Sequence, residues 1–530
     1  MHKAMNKLLI ATLSILLVVA VWFTGCNKPD EPNNGGNNGN NGGNGGETPE
    51  TPAIVSTSEV QYDGKVFVEA VFEDETKMYF AIISPKEVSV ASGEFFYQDD
   101  PSQAYKYRGE VAIPEKITHL NTTYDVTAIA YKAFYGCNLV TSAFIPNSVI
   151  SIDSYIPYFN GNIFGAFQGC SNLLNIIMSE NVQYIGENAF KGCPCYAEEV
   201  TVPSRIKRIG KAAFDSKSVL FNADSCYVAG GYDYPDSPDE AVYISAFPNM
   251  ENISFGDNVK VIPSYLYSNL NPTIVDLPSS VTIIAFEAFR GCTNLEKVNN
   301  SQNIRTIETQ AFCSCRSLNS IILGDELTRI GNGAFKFCGS LTSIVFPNSL
   351  NKIEKSAFVG CGIRTIVWGN SIDTIGQSAF RGCNHLTEVV IPNTVTTIEG
   401  EAFELCDSVS SLIIGNAVTS IGFSAFRGCH ELVSVSLGNS VTTIGARSFR
   451  DCRKLTEIVL PSSIRNINDN AFDECYEASN ITCFAVNPPM LGVDVFKGRW
   501  IEVIYVPMPS VEAYKTADGW SRYADVIVGI

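Results

Sequence analysis

Histidine is nearly absent from this chain: His2, His119, His385 and His430 are all there is in 530 residues, and no two stand at a metal-ligand spacing. Imidazole-based metal and acid–base chemistry therefore has little to work with. Basic residues are also few, 37 Lys and Arg against 55 Asp and Glu, for a formal net charge of -18. A surface of that sign repels phosphate backbones and argues against nucleic acid as a partner. No glycine-rich phosphate loop stands out, and nothing else in the sequence calls for a cofactor. Hydrophobic residues are plentiful at 45%, enough to fill a large core and to exclude disorder of the whole.

The N-terminus reads as an export signal. Lys3 and Lys7 precede an almost wholly apolar run from Leu8 to Val21, too short for a comfortable membrane span but suited to a signal core. Phe23-Thr24-Gly25-Cys26 follows and resembles a bacterial lipobox, with Phe23 where Leu is usual. The resemblance implies a signal peptide over 1–25 and lipidation of Cys26; an ordinary cleaved signal or a simple membrane anchor is the alternative. Acyl chains at roughly 0.8 kcal/mol per buried CH₂ would hold the protein on its membrane. Residues 26–53 are rich in Asn, Gly and Pro and offer almost nothing to bury, so they are expected to be a flexible tether with a reach of about 30 Å. Lys28, Asp30 and Glu31 resemble the surface-export signal of lipoproteins in some Gram-negative anaerobes, which implies an outer-membrane, outward-facing anchor.

Internal repetition governs the rest. A phenylalanine recurs at 289, 312, 335, 358, 380, 403, 426, 449 and 472, at gaps of 22 or 23 residues. Upstream the slot holds Phe134, Phe167, Phe190, Phe214, Phe247 and Tyr267, and Phe496 extends it. An Ile stands five residues before the Phe and a Cys three residues after it, as at Ile375, Phe380 and Cys383. Leu-x-x-Val-x-Ile follows, then Pro-Asn or Gly-Asn, as in Leu386 to Asn393. Each repeat reads as one coil whose apolar slots point inward and stack on the same slots of its neighbours. Val-x-Ile has the period of a short strand, and Pro-Asn or Gly-Asn supplies the turn. About sixteen coils at roughly 4.8 Å each make a body about 75 Å long.

The pattern from Ile375 to Thr396, Ile-Gly-x-x-Ala-Phe-x-Gly-Cys-x-x-Leu-x-x-Val-x-Ile-Pro-x-x-Val-Thr, resembles the BspA-like leucine-rich repeat. The resemblance covers residues 111–508. It implies a repeat solenoid: a right-handed, β-rich stack of coils with short strands and turns, capped at both ends. It also implies a secreted or surface protein that binds other proteins, and it brings no catalytic residues. The expected organisation is a β-rich N-terminal cap over 54–110, the solenoid over 111–480 and a C-terminal cap over 481–530.

Two coils carry insertions, at 153–162 and 224–243. The second holds Tyr232 and Tyr234 among several acids, and is either a recognition loop or a tolerated surface loop; its spacing matches no calcium loop. Twelve of the 17 cysteines occupy the slot after Phe-x-x. Side chains in one ladder run parallel, which suits small buried groups and not disulfides. Cys193-Pro194-Cys195 and Cys313-Ser314-Cys315 each add one cysteine to a ladder member. His385 and His430 follow ladder cysteines, but a catalytic thiol needs exposure and activation, so no enzyme is expected.

Residues flanking the inward Val of each strand should face solvent. One such column reads Ser320, Ser343, Thr365, Glu388, Ser411, Ser434, Glu457, and the next Ile322, Val345, Val367, Val390, Ile413, Ser436, Val459. An apolar stripe beside a polar one suggests a binding face, although β-branched residues suit strands anywhere. The candidate contact residues are therefore Val345, Val367, Glu388, Val390 and Ile413, with Tyr232 and Tyr234 on the inserted loop. The expected function is adhesion or binding of a host or neighbouring protein, with glycan capture as the alternative and membrane contact through the lipid anchor alone.

Overall fold

The computed structural model describes residues 51–62, 65–91, 107–154, 164–228, 231–233, 242–244, 246–268, 270–497 and 501–530. The signal segment 1–25, Cys26, most of the tether and the first insertion's residues 155–163 lie outside these. Among the described residues no helix is long and apolar enough to cross a membrane.

The described chain is a β-solenoid of about 16 turns with parallel stacked strands. Each regular coil contributes two short strands because its sequence carries two period-2 segments. The Thr-Ile slot gives two-residue strands, and those from Lys352–Ile353 to Met490–Leu491 form one seven-stranded parallel sheet. The Val-x-Ile slot gives Ser343–Val345, Thr365–Val367, Glu388–Val390, Ser411–Ile413 and Ser434–Ser436, also in parallel register. Ladder hydrogen bonds run between coils, so each coil completes its neighbour's backbone bonding.

Inside, the repeated Phe forms a continuous column. From Phe289 to Phe472 successive rings lie 5.0–5.4 Å apart with planes within 10°. These rings are all but fully buried. A buried Phe contributes on the order of 1.5–3 kcal/mol, so this column is a main source of cohesion between coils. A turn surrounds each Phe and brings the residues two before and two after it to left-handed φ, as at Ser378 (57°) and Gly382 (69°), or Glu401 (60°) and Leu405 (58°). That geometry explains the frequent Gly two residues after the Phe, since Gly meets no Cβ penalty there. The Gly after the strand Ile has a different cause: a Cβ on Gly422 would lie 2.4 Å from the Glu399 carbonyl carbon of the preceding coil.

At the N-terminal end, Ile54–Tyr62, Lys65–Phe72, Lys77–Ser84 and Glu87–Val90 form an antiparallel meander. Its last strand pairs in parallel with Thr122–Ala130, so the meander continues the solenoid's own sheet and covers its open end. At the other end parallel pairing runs through Val503–Val506 to Ile527–Gly529. Tyr514 and Trp520 close the core there. The Tyr514 hydroxyl donates to the Ala485 carbonyl (2.8 Å), and Trp520 Nε1 donates to the Pro489 carbonyl (2.7 Å). Aromatic ends that are buried need such partners for their polar atoms.

Strand pairing is interrupted near the second insertion. Strands Asn252–Phe255 and Ile274–Asp276 belong to separate sheets. A cavity of about 300 Å³ lies between them, lined in part by Met250, Ile253, Tyr267 and Leu270. Met250 and Leu270 occupy the slot three residues after the ring, where regular coils place the smaller Cys.

Candidate functional site

The alternation of the Val-x-Ile strands decides which side chains reach solvent. Ile344, Val389 and Leu412 point into the core, while Ile322, Val345, Val367, Val390 and Ile413 are 62%, 57%, 54%, 43% and 42% exposed. Parallel register aligns them: Val345 pairs with Val367, Val390 with Ile413, and Ile413 with Ser436, where the stripe ends. The companion column of Ser343, Thr365, Glu388 and Ser434 is exposed too, and Ser411 is half-buried. Glu388 is the single charge in these two columns from residue 320 to 413.

The stripe spans two sheets. Thr365–Val367 and Glu388–Val390 are not paired with each other. The intervening coil is one residue short, with Cys361-Gly362-Ile363 in place of Cys-x-x-Leu, and it carries Trp368. That ring sits half-buried, 5.8 Å from both the Phe346 and the Phe380 rings.

A row of asparagines edges the stripe. The Asn370 N–H donates to Asn348 Oδ1 (2.9 Å), the Asn416 N–H to Asn393 Oδ1 (2.7 Å) and the Asn439 N–H to Asn416 Oδ1 (3.1 Å). Each bond fixes one amide oxygen against the next coil, so the row is ordered before any ligand arrives. In the sequence Pro-Asn and Gly-Asn read as turns alone; the recurrence of Asn itself is the signal of a second purpose.

Tyr232 lies in a small hairpin, Gly231–Asp233 against Val242–Ile244, with Tyr232 opposite Tyr243. Tyr234 falls outside the described residues. The hairpin's coil is separated in sequence from the stripe, which starts at Ile322, by the coils of Tyr267 and Phe289.

The cysteine slot has a defined bonding role. From Cys170 onward each ladder thiol donates to the carbonyl of the aromatic residue one coil back: Cys315 to Phe289 (3.0 Å), Cys361 to Phe335 (2.9 Å), Cys406 to Phe380 (3.2 Å), Cys475 to Phe449 (3.1 Å). All described cysteines are free thiols. Burial pushes the thiols of Cys406, Cys429 and Cys452 well above their ordinary range, so nucleophilic thiolates do not form there. His430 sits between Asp407 (3.0 Å) and Asp451 (3.1 Å), bridging three coils. Burial opposes ionisation of Asp451, but Arg453 and His430 outweigh it and hold the carboxyl below its ordinary value. His385 is exposed. The described residues contain no cluster of His, Cys, Asp and Glu able to hold a metal.

The same edge carries an ion-pair ladder. The buried Glu404 accepts from Arg381 (2.9 Å) of the preceding coil and Arg427 (3.1 Å) of the next. Glu308, Arg329 and Glu354 link three further coils. These pairs tie coils together and are built for cohesion, not for chemistry.

A family model described as the BspA type leucine rich repeat region, in six copies, matches residues 114–220, 240–338, 305–416 and 396–515. No enzyme family is indicated. Among curated proteins none matches this chain. Solved structures similar to it include a leucine-rich repeat protein from Bacteroides ovatus, at 22% identity, TM-score 0.43, covering 91% of this chain and 100% of that one. A leucine rich cell surface protein from Faecalibacterium prausnitzii is similar at 20% identity and TM-score 0.34, covering 76% of this chain and 92% of that one. The pneumococcal vaccine antigen PcpA is similar at 15% identity and TM-score 0.33, covering 89% and 97%.

Proposed function

The chain belongs to the BspA-type leucine-rich repeat family, and on that premise we propose that it is a surface lipoprotein that holds a protein partner on its strand face. One observation carries the reading: Val345 and Val367 stand exposed in register on one parallel sheet and Val390 and Ile413 on the next, with Ile322 exposed on the preceding coil, along a nearly uncharged strand face bordered by Ser, Thr and an ordered row of Asn. Isolated exposed apolar residues are ordinary, but an aligned stripe is costly to leave in water and suits a partner's apolar side chains. The polar border supplies the hydrogen bonds of an interface rim. Rigidity matters as well, because a preformed face loses little entropy when it binds.

In this reading residues 1–25 are removed, Cys26 is lipidated and anchors the protein to the outer membrane, and 26–53 tether the body at the cell surface. The meander from Ile54 to Val90 and the C-terminal segment around Tyr514 and Trp520 protect the two ends of the solenoid. Repeat proteins generally mediate protein–protein interaction, and an extended regular face suits a large partner better than a small molecule.

The test is a matrix-protein array and a glycan array, each probed with the wild-type chain and with the V367K/V390K/I413K variant. Three lysines on solvent-facing positions leave the core untouched, so the fold is expected to persist. Protein partners that bind wild type and not the variant support the reading. Unchanged protein binding by a folded variant eliminates this face, and binding on the glycan array alone replaces the protein partner with a carbohydrate.

A further inference from the structure

Far from the strand face, the turn edge of the first two coils holds three aromatic rings around one ammonium. Lys132 Nζ lies 4.3 Å from the centre of the Phe164 ring, 5.3 Å from that of Tyr135 and 5.9 Å from that of Tyr131. The rings meet nearly edge to face: Tyr135 and Phe164 are 5.0 Å apart at 75°, and Tyr131 and Phe164 are 6.2 Å apart at 66°. They therefore form walls at steep angles and not a stack. All three are half-buried. Elsewhere Lys336 lies over a single ring, that of Phe337, at 4.9 Å. Three walls converging on one cation are a different arrangement.

The repeat explains how the box is assembled. Tyr131 and Phe164 occupy the same slot, three residues before the column Phe, in successive coils, so stacking brings them side by side. Tyr135 follows Phe134 directly and closes the third side. Core packing needs none of these rings at that density. The interior is already filled by Phe134 and Phe167, stacked 4.8 Å apart.

We propose that Tyr131, Tyr135 and Phe164 form a binding cage for a quaternary ammonium group, and that Lys132 is its resident stand-in. Ring faces attract cations through their quadrupoles, and the attraction is strongest for cations that are cheaply stripped of water. A primary ammonium is strongly hydrated, whereas a methylated ammonium is weakly hydrated, so it competes well for the same rings. The acidic chain, with its formal net charge of -18, draws cations in general. Lys132 sits at φ 59°, a conformation that glycine adopts without cost. Lys132→Gly therefore empties the cage without straining the turn.

The experiment uses the full-length chain with tetramethylammonium as probe, followed by saturation-transfer NMR on its methyl protons. Wild type is expected to bind weakly because Lys132 competes intramolecularly. K132G is expected to bind about tenfold more tightly, and the double variant K132G/F164A to lose that gain. Thermal melts of all three chains check that each is folded. No gain in K132G, or an undiminished gain in K132G/F164A, overturns the proposal. Co-sedimentation of K132G, above the level of K132G/F164A, with phosphatidylcholine vesicles but not phosphatidylglycerol vesicles would identify a lipid head group as the source. Tetramethylammonium binding without co-sedimentation would identify a free solute. The V367K/V390K/I413K variant should bind the probe as wild type does, which keeps this site's fate separate from that of the strand face.

Discussion

Replacing Phe380 with alanine tests the claim that coils cohere chiefly through the ring column. Phe380 is fully buried, stacked 5.4 Å from Phe358 and 5.2 Å from Phe403, with the Trp368 ring 5.8 Å away and edge-on. Truncating a buried Phe costs about 3–5 kcal/mol through lost transfer energy and the cavity left behind. Each ring pair adds roughly 0.5–1.5 kcal/mol beyond its area. In a compact domain that loss would lower the stability of the whole. In a solenoid each coil touches only its neighbours, so the loss falls on the two interfaces of one coil. Hydrogen exchange read by mass spectrometry resolves the difference. F380A should lose amide protection mainly from about residue 353 to 413, while segments near Phe190 and Phe472 keep wild-type protection. Uniform loss of protection along the chain would refute the nearest-neighbour account. Full protection everywhere would refute the assignment of cohesion to the rings.

Further outcomes follow from other contacts. Gly422→Ala forces a Cβ to within 2.4 Å of the preceding coil's backbone and should destabilise by about 1–3 kcal/mol in a denaturant melt; a neutral effect would show that the coils can separate freely. Under native conditions at pH 8, iodoacetamide should modify the half-buried Cys195 first, and should reach Cys406, Cys429 and Cys452 only after denaturation. Peptide mapping showing equal rates would contradict their burial. The Asp451 carboxyl is held below its ordinary value of 3.8, so its contribution is complete above that value and is lost as pH falls through the lower folded value. The melting temperature of D451N should therefore lie below that of wild type at pH 6 and converge with it as pH drops below about 4. A gap that persists to pH 2 would assign the effect to packing.

Much of this protein is written in its linear order. The period is legible because one coil cannot bury its own apolar face, so every coil must repeat the same inward slots: Phe at the column, Cys three residues on, Ile five residues before. The outward placement of Val345, Val367, Val390 and Ile413 follows from strand alternation alone. Other features depend on which residues the stacking brings together, about 23 positions apart in the chain. The thiol of Cys406 reaching the Phe380 carbonyl, the carboxylate of Glu404 held between Arg381 and Arg427, and the Asn393 amide bonded to Asn416 are contacts between coils. Periodicity aligns their slots but does not say which atoms bond. The break beside Met250 and Leu270, and the convergence of Tyr131, Tyr135 and Phe164 on Lys132, arise where the repeat is altered. There the packing of particular side chains, and not the average coil, decides the surface.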